Sequence, residues 1–386
     1  MAIYLDYAAT VPVRAEVLET YVAATAQLGN PSSTHSFGRD ARMLLEDARD
    51  RLARAIKCDR NEVIFTSGGT ESDNLAIKGL YWQRNRDAKR PVIVSAYTEH
   101  HGVIDPIEWL QAHEGAEAIW LDVSVEGVVD LNALAALLAE RGSQVALISL
   151  MWANNETGVI TDIAKVCEIA AAHGVPVHSD AVAALGHVPI NFADSGLAAM
   201  SITGHKVGSP IGAGALILAR GSNVTSLIHG GGQERGLRSG TMNYAGALSF
   251  AHAAELAVAE HDEFVAHTGR LISRLRAAVE GIAGSRFSIG SAPGMSHNAH
   301  FTFEGLKSDS VLFLLDELGF AVSAGSACQA GVARPSHVLL AMHRSESEAS
   351  ACLRVTIGLE TTDSEVDALI TALPGVIIQA RAAFAG

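Results

Sequence analysis

Basic residues are scarce in this chain. Lysine and arginine number 28 against 42 aspartates and glutamates, a formal net charge of -14, and nowhere do the cations gather into a run. Neutralising phosphates takes clustered Lys and Arg, so direct, non-specific nucleic-acid binding is not expected. Cysteine is scarce as well: Cys58, Cys167, Cys328 and Cys352 form no CxxC pair and no zinc-like spacing with histidine. That argues against a disulfide framework or a structural metal and for reduced thiols. No apolar run approaches the roughly 18 residues of a membrane span, so no membrane crossing is expected. The start, Met1-Ala2-Ile3-Tyr4-Leu5-Asp6, lacks the basic and apolar regions of a signal peptide, which favours a cytoplasmic address.

What the chain does have is apolar bulk. Hydrophobic residues make up 48% of its 386 positions and charged residues 18%, too apolar for disorder and too long for one simple core, so two or three domains are expected. Apolar spacing predicts helices over 13–28 and 39–56. Beyond them, predicted strands at 62–66, 91–95, 145–150, 175–179, 197–202 and 214–218 alternate with helices at 71–83 and 163–173. This is an α/β pattern, a mainly parallel sheet covered by helices, with ligands expected at the C-terminal strand ends. Residues 244–280 read as long helices leading to a smaller α+β unit, with strands at 300–303, 321–323 and 353–357 and a helix at 308–318. The expected division is a large domain over 14–255 and a small one built from 1–13 and 256–386.

The chemistry-bearing residues fall at strand ends. Lys206, in Ser201-Ile202-Thr203-Gly204-His205-Lys206, follows an apolar strand, where desolvation favours the neutral amine that a carbonyl cofactor such as pyridoxal phosphate needs for a Schiff base. Ser67-Gly68-Gly69-Thr70-Glu71-Ser72 joins a strand to a helix, so backbone N–H groups and the helix dipole offer an anion site with Thr70 as hydroxyl donor; a plain glycine turn and helix cap fits the same residues. Asp180 ends a strand where a carboxylate would pair with a protonated pyridine nitrogen, or serve only as a helix cap. His100 is placed to stack on a flat ring or move protons, though strand-end histidines are often structural. Asn154-Asn155-Glu156 offers amides for a phenolic oxygen or simple turn chemistry. Their joint placement after apolar strands is what a cofactor pocket across a parallel sheet requires.

The runs Tyr4-Leu5-Asp6-Tyr7-Ala8-Ala9-Thr10, Gly29-Asn30-Pro31-Ser32-Ser33, Thr98-Glu99-His100-His101, Asn154-Asn155-Glu156, Gly204-His205-Lys206 and Arg238-Ser239-Gly240-Thr241 resemble the cysteine desulfurases over nearly the whole chain. Ser326-Ala327-Cys328 on a long loop resembles their class I, or NifS-like, branch. The resemblance implies a fold type I pyridoxal-phosphate homodimer that converts L-cysteine to L-alanine and leaves a persulfide on the enzyme. It implies that Lys206 holds the cofactor and relays protons, that His100 stacks on its ring and that Asp180 contacts its nitrogen. Phosphate contacts would come from Gly69, Thr70, Thr203 and His205, with Thr241 reaching across the dimer. Asn155 would serve cofactor and substrate, and Arg354 would clamp the substrate carboxylate with its planar fork. The thiolate of Cys328 would attack the substrate sulfur, and Gly325, Ala330 and Gly331 around it favour a loop that carries sulfur outward. The acceptor would be a protein such as an iron–sulfur scaffold or a thiolation enzyme. A selenocysteine lyase, another pyridoxal-phosphate lyase or a weakly catalytic partner-binding scaffold are the alternatives.

This chain departs from the family's pattern at Val11, a common threonine, and at Leu359, often polar or basic. It departs again at Ala183, where a glutamine usually bonds the phenolic oxygen of the cofactor. Restoring that amide in Ala183→Gln is expected to shift the visible absorption of the cofactor-loaded protein or its pH midpoint, read by a spectrophotometric titration; identical spectra would remove the importance of this position.

Overall fold

Runs such as Val63-Ile64-Phe65 and Val145-Ala146-Leu147-Ile148 have no polar face to give to water, and a parallel sheet covered on both sides buries them whole. The computed structural model describes residues 2–325 and 334–385. Its strands in chain order are β1 (Ile3–Tyr4), β2 (Val63–Thr66), β3 (Val92–Ala96), β4 (Glu117–Leu121), β5 (Val145–Ser149), β6 (Val177–Asp180), β7 (Ala199–Thr203), β8 (Gly214–Leu218), β9 (Ser285–Phe287), β10 (Asn298–Phe303), β11 (Phe320–Ala321) and β12 (Cys352–Thr356). The large sheet has the order β2-β8-β7-β6-β5-β3-β4. Only β8 runs against the others in that sheet, pairing antiparallel with both β2 and β7. Alternate residues feed two cores: Val63, Phe65, Val92 and Val94 face one set of helices, while Ile64, Ile93 and Leu147 face the other.

The mainly parallel α/β sheet matches the expectation from sequence, and most strands fall within a residue or two of their predicted places. Three differences have local causes. The helix expected over 39–56 starts earlier, as Ser36–Ile56, because the ring of His35 caps it by accepting from Gly38 N at 3.3 Å. The long helices expected over 244–280, whose boundary the sequence did not place, are Tyr244–Ala259 and His261–Glu280, parting at Glu260, whose carboxylate turns to Arg14 at 2.6 Å. Between β3 and β5, where no element was anticipated, lie the helices His101–Glu114 and Leu131–Arg141 and the strand β4. As the edge strand, β4 is largely only half-buried, and its apolar run is short, Ala118 to Leu121.

A second layer holds the antiparallel strands β12-β10-β9, and the chain's beginning joins it through β1, which pairs in parallel with β11. Its core gathers Leu5, Phe301, Leu353 and one face of the helix Asp363–Ala385. That helix contains, within Asp363–Ala383, an 18-residue window of mean hydropathy 1.4, apolar and long enough to cross a membrane by length and composition. The expectation of no such segment is corrected here. Val366, Leu369, Leu373, Val376, Ile377 and Ala380 nevertheless recur at helical spacing and are buried in the second core, as a core helix requires.

One buried ion pair ties the β2 end of the sheet to the rest. Arg49 reaches Glu234 through two hydrogen bonds of 2.9 and 2.7 Å and also donates to the Val63 carbonyl at 2.7 Å, while Glu234 Oε2 accepts from Phe65 N at 3.0 Å. Removing one partner strands the other charge away from water. Glu234→Ala is expected to cost about 3–5 kcal/mol in urea-unfolding stability, and a loss below about 1 kcal/mol would show that the pair is dispensable.

Candidate active site

Each parallel strand in the middle of the large sheet delivers polar groups at its C-terminal end. After β2 the chain enters the helix Gly69–Arg84, whose first N–H groups have no partners within the helix. A Cβ on Gly69 would stand 2.5 Å from Val182 Cγ2, so only glycine lets the helix start press against the turn that follows β6. Asp180 closes β6, and its Oδ1 accepts from Val182 N at 2.8 Å. Thr203 closes β7, is buried, and donates to the Ala213 carbonyl at 3.2 Å. His205 and Lys206 follow at once, and Lys206 Nζ donates to the carbonyls of Ala8 and Ala9, the latter at 2.9 Å. After β3, His100 caps the helix His101–Glu114: its Nδ1 accepts from Gly102 N at 2.9 Å, which places the proton of the neutral ring on Nε2.

His100, Asp180 and Lys206 are brought within electrostatic reach of one another. Burial lowers the His100 pKa, the Asp180 charge opposes that shift and Lys206 reinforces it. Burial raises the Asp180 carboxyl, and His100 and Lys206 pull it back down. Burial, then Lys206, holds His205 down at about 4. Behind these groups lie two buried carboxyls that sequence reasoning had not singled out. Glu99 accepts from Met151 N at 2.7 Å, and Asp73 lies 3.7 Å from His178 Nε2. Burial raises both, and the charge of Asp180 adds to it. The only signal for Glu99 was its place beside His100.

The two asparagines separate by role. Asn154 spends its amide inside its own loop, donating to the Thr98 carbonyl at 2.8 Å and accepting from Glu156 N and Thr157 N. Asn155 offers its carbonyl to Arg354 Nη1 at 2.8 Å, while Arg354 Nη2 pairs with Asp6 at 2.7 Å. Arg354 is buried on β12, and its Nε has no hydrogen-bond partner among the described residues. Asp6 was read only as part of a family-like run, yet it orients the guanidinium.

Thr70 and His100 share a cleft of about 400 Å³ with Lys78 and Trp109. Thr241 lies apart from it, lining a smaller cleft of about 110 Å³ with Ser67 and Arg238 of its own chain. A third cleft, about 320 Å³, flanks Lys206, and Val11 and Leu359, two of the positions that depart from the family pattern, both line it. Ala183 is half-buried against the main core. Cys328 lies outside the described residues.

Six parallel strands with one antiparallel strand, a lysine in the turn after β7 and a buried carboxyl at the end of β6 define a fold type I enzyme of the pyridoxal-phosphate kind. Residues 3–369 match the model of the aminotransferase class-V family. The chain is 46% identical to an IscS-like cysteine desulfurase of Mycobacterium tuberculosis, covering 98% of this chain and 97% of that protein. It is 38% identical to cysteine desulfurase IscS of Dictyoglomus turgidum, covering 98% and 95%. A solved NifS-like protein superposes with a TM-score of 0.90 at 30% identity, covering 98% of this chain and all of that one. The chain belongs to the aminotransferase class-V family and, within it, to the cysteine desulfurases.

The donor set suits pyridoxal phosphate. A helix start and two hydroxyls can receive a phosphate, and a carboxyl whose charge burial penalises gains from a cationic ring nitrogen.

On the far side of Arg354, His300 is fully buried on β10, directly across the register from it, and bonds Ser288 Oγ through Nδ1 at 2.8 Å. Burial first, then the Arg354 charge, hold its pKa down to about 3. Above the ordinary histidine pKa near 6.5 the ring is neutral in both states; below it the unfolded chain takes a proton that the folded chain refuses, so stability falls as pH drops from about 6.5 toward 3. In urea unfolding between pH 6.5 and pH 4, His300→Asn is expected to flatten that fall by up to about 1.4 kcal/mol per pH unit; an unchanged slope would place the acid sensitivity elsewhere.

Proposed function

We propose that the protein is a cysteine desulfurase that binds pyridoxal phosphate, converts L-cysteine to L-alanine and holds the released sulfur as a persulfide on Cys328. The observation that carries this reading is the convergence of Lys206, His100 and Asp180 at one sheet edge, with the buried fork of Arg354 beside Asn155. The cofactor, when bound, withdraws electrons from the substrate's α-carbon. Gly69, Thr70, Thr203 and His205 would hold its phosphate, with Thr241 of a second subunit. Asp180 would pair with its ring nitrogen, and His100, fixed by its helix-capping bond, would stack on the ring. Lys206 would bind it through the side-chain amine and then move protons at the substrate carbon. Arg354, aimed by Asp6, would take the substrate carboxylate, with Asn155 alongside.

The sulfur step balances simply. The Cys328 thiolate bonds to the substrate sulfur, the carbon–sulfur bond breaks, and the carbon takes a proton to become alanine. The other cysteines are poorly suited to this work: burial pushes the thiols of Cys58, Cys167 and Cys352 up to about 12, so none is a thiolate near neutral pH.

The wider assignment follows the same reading. Residues 14–255 form the cofactor domain and 1–13 with 256–386 the domain that carries Cys328, supported by the separate core around Leu5, Phe301 and Leu353. A homodimer is supported by large apolar side chains left exposed near the two N-terminal helices, Leu28 at 75% and Met43 at 68% among them. The enzyme works in the cytoplasm and hands its sulfur to a protein acceptor, as in iron–sulfur assembly or thiolation.

Purified protein mixed with L-cysteine under reducing conditions is expected to release alanine and sulfide in equal amounts, and Cys328→Ala to lose both. A yellow protein that binds cofactor but yields neither product would support a partner-binding scaffold instead.

A further inference from the structure

The described residues include both ends of the segment that carries Cys328, up to 325 and again from 334, and one buried side chain touches both. Glu156 is 2% exposed. Its backbone is held on either side, the N–H donating to Asn154 Oδ1 at 2.9 Å and the carbonyl accepting from Asn298 Nδ2 at 3.2 Å. Its carboxyl Oε2 accepts from Ser336 Oγ at 2.6 Å, and Ser336 is itself fully buried. The same carboxyl packs against Gly325. A Cβ there would stand 3.2 Å from Oε2 and 3.3 Å from Glu156 Cβ, and the positive φ of 88° independently favours glycine.

Neighbouring bonds secure the same two ends. On the entry side Ser323 exchanges backbone hydrogen bonds with Arg354, at 3.2 and 2.6 Å, and Cys352 Sγ donates to the Ala324 carbonyl at 3.0 Å. On the exit side Ser336 accepts from Leu339 N at 3.1 Å, and His337 Nε2 donates to the Glu99 carbonyl at 2.9 Å. Glu156 is the side chain common to both. A buried carboxyl loses heavily when its hydrogen bond is broken, so Ser336 is held to Glu156 by a bond the fold cannot cheaply give up, with Gly325 seated beside the same oxygen. One residue earlier, the Asn155 carbonyl holds the Arg354 fork. The anchor of the Cys328 segment and the grip on the substrate carboxylate are thereby built on adjacent residues.

We propose that Glu156 is a positioning residue for sulfur transfer: by fixing Gly325 and Ser336 against one another it sets the reach of the Cys328 thiol to the substrate sulfur, and it takes no part in holding cofactor or substrate. The role rests on the desulfurase reading above. It separates two functions on adjacent residues, binding at Asn155 and Arg354 and delivery at Glu156.

The test uses cofactor-loaded wild type, Glu156→Ala, Glu156→Gln, Ser336→Ala and the double variant Glu156→Ala with Ser336→Ala. Three quantities are read: kcat and KM for alanine formation, the absorption change on mixing with L-cysteine, and the rate of Cys328 alkylation by iodoacetamide followed by mass spectrometry. Glu156→Ala is expected to lower kcat about tenfold or more while KM stays within about twofold and the absorption change persists. The alkylation rate is expected to change by about threefold or more. Glu156→Gln keeps an acceptor for Ser336 and is expected to recover most of the kcat. Ser336→Ala shifts the same quantities in the same direction, and the double variant is little worse than Glu156→Ala alone.

Wild-type kcat and alkylation in Glu156→Ala would overturn the proposal, as would loss of the absorption change in step with kcat, which would mean a role in binding. If Glu156→Ala does not fold, a Ser336→Ala variant with unaltered kcat overturns it. If wild type makes no alanine, the desulfurase reading fails, and the alkylation rates then decide the anchoring role by themselves: equal rates reject it, altered rates uphold it.

Discussion

Strands that run the same way must end at the same edge. Six of the seven strands in the large sheet obey this, and apolar runs such as those of β2 and β5 are buried on both faces. The polar residues that cannot stay inside are therefore expelled together, at the C-terminal edge, where Gly69, His100, Asn155, Asp180 and Lys206 meet or approach one another. The antiparallel strand β8 completes the device. By returning beside β7 it makes the Lys206 connection a short turn that leaves and re-enters at the same edge, closed by the bond from Gly204 N to the Ala213 carbonyl at 3.0 Å. A crossover helix in that place would have carried the lysine away from the edge.

The groups at this edge are largely buried, and burial sets their chemistry. Burial penalises the charged form of Asp73, Glu99 and Asp180 and of His100 and His178 alike, so the interior favours neutral groups except where a partner of opposite sign stands close. Asp180 is drawn back toward ionisation by His100, by its backbone bond from Val182 N and by Lys206, and a protonated ring nitrogen would add to them. Asp73 and Glu99 face only further carboxyl charge. Their place behind Asp180 is that of neutral polar packing, while Asp180, raised by burial like them, is the one carboxyl of the three that nearby positive groups draw back toward the ionised form. Arg354 meets the same constraint differently, giving its fork to Asp6 and the Asn155 carbonyl.

Much of this was legible in the sequence because periodicity reports burial. Strands β2, β5 and β8 are largely short apolar runs, the pattern of strands covered on both faces. β4, half-buried at the edge, opens on Glu117 and offers only the short run Ala118 to Leu121, and it was passed over along with the helices on either side. In the site, residues tied to local motifs were visible: Lys206 after its strand, Asp180 at the end of one, Gly69 at a strand-to-helix turn. What pattern could not show was pairing at long range. Asp6 and Arg354 are 348 positions apart, Glu156 and Ser336 are 180, and no periodicity links such partners. Asn155 was set apart from Asn154 by the family resemblance alone, and the inward turn of the Asn154 amide is likewise nothing that periodicity reports.

The N-terminal segment joins these long-range ties into one structure. Leu5 donates to the Ala321 carbonyl at 2.8 Å and accepts from Thr356 N at 2.9 Å, which fixes the segment in the second layer. From there Asp6 reaches Arg354, the Ala8 and Ala9 carbonyls receive Lys206 Nζ, and Val11 N donates to the His205 carbonyl at 3.0 Å. A stretch of seven residues, Leu5 to Val11, therefore touches the guanidinium on the second layer and the amine on the large sheet. It is short, with backbone bonds at both ends, so the distance between those two cations cannot change without breaking it. A cofactor ring held by the lysine and a substrate carboxylate held by the arginine would need that distance constant. The segment stands out in the sequence only as a family-like run, because its work is done by carbonyls and one carboxylate, groups that apolar periodicity does not report.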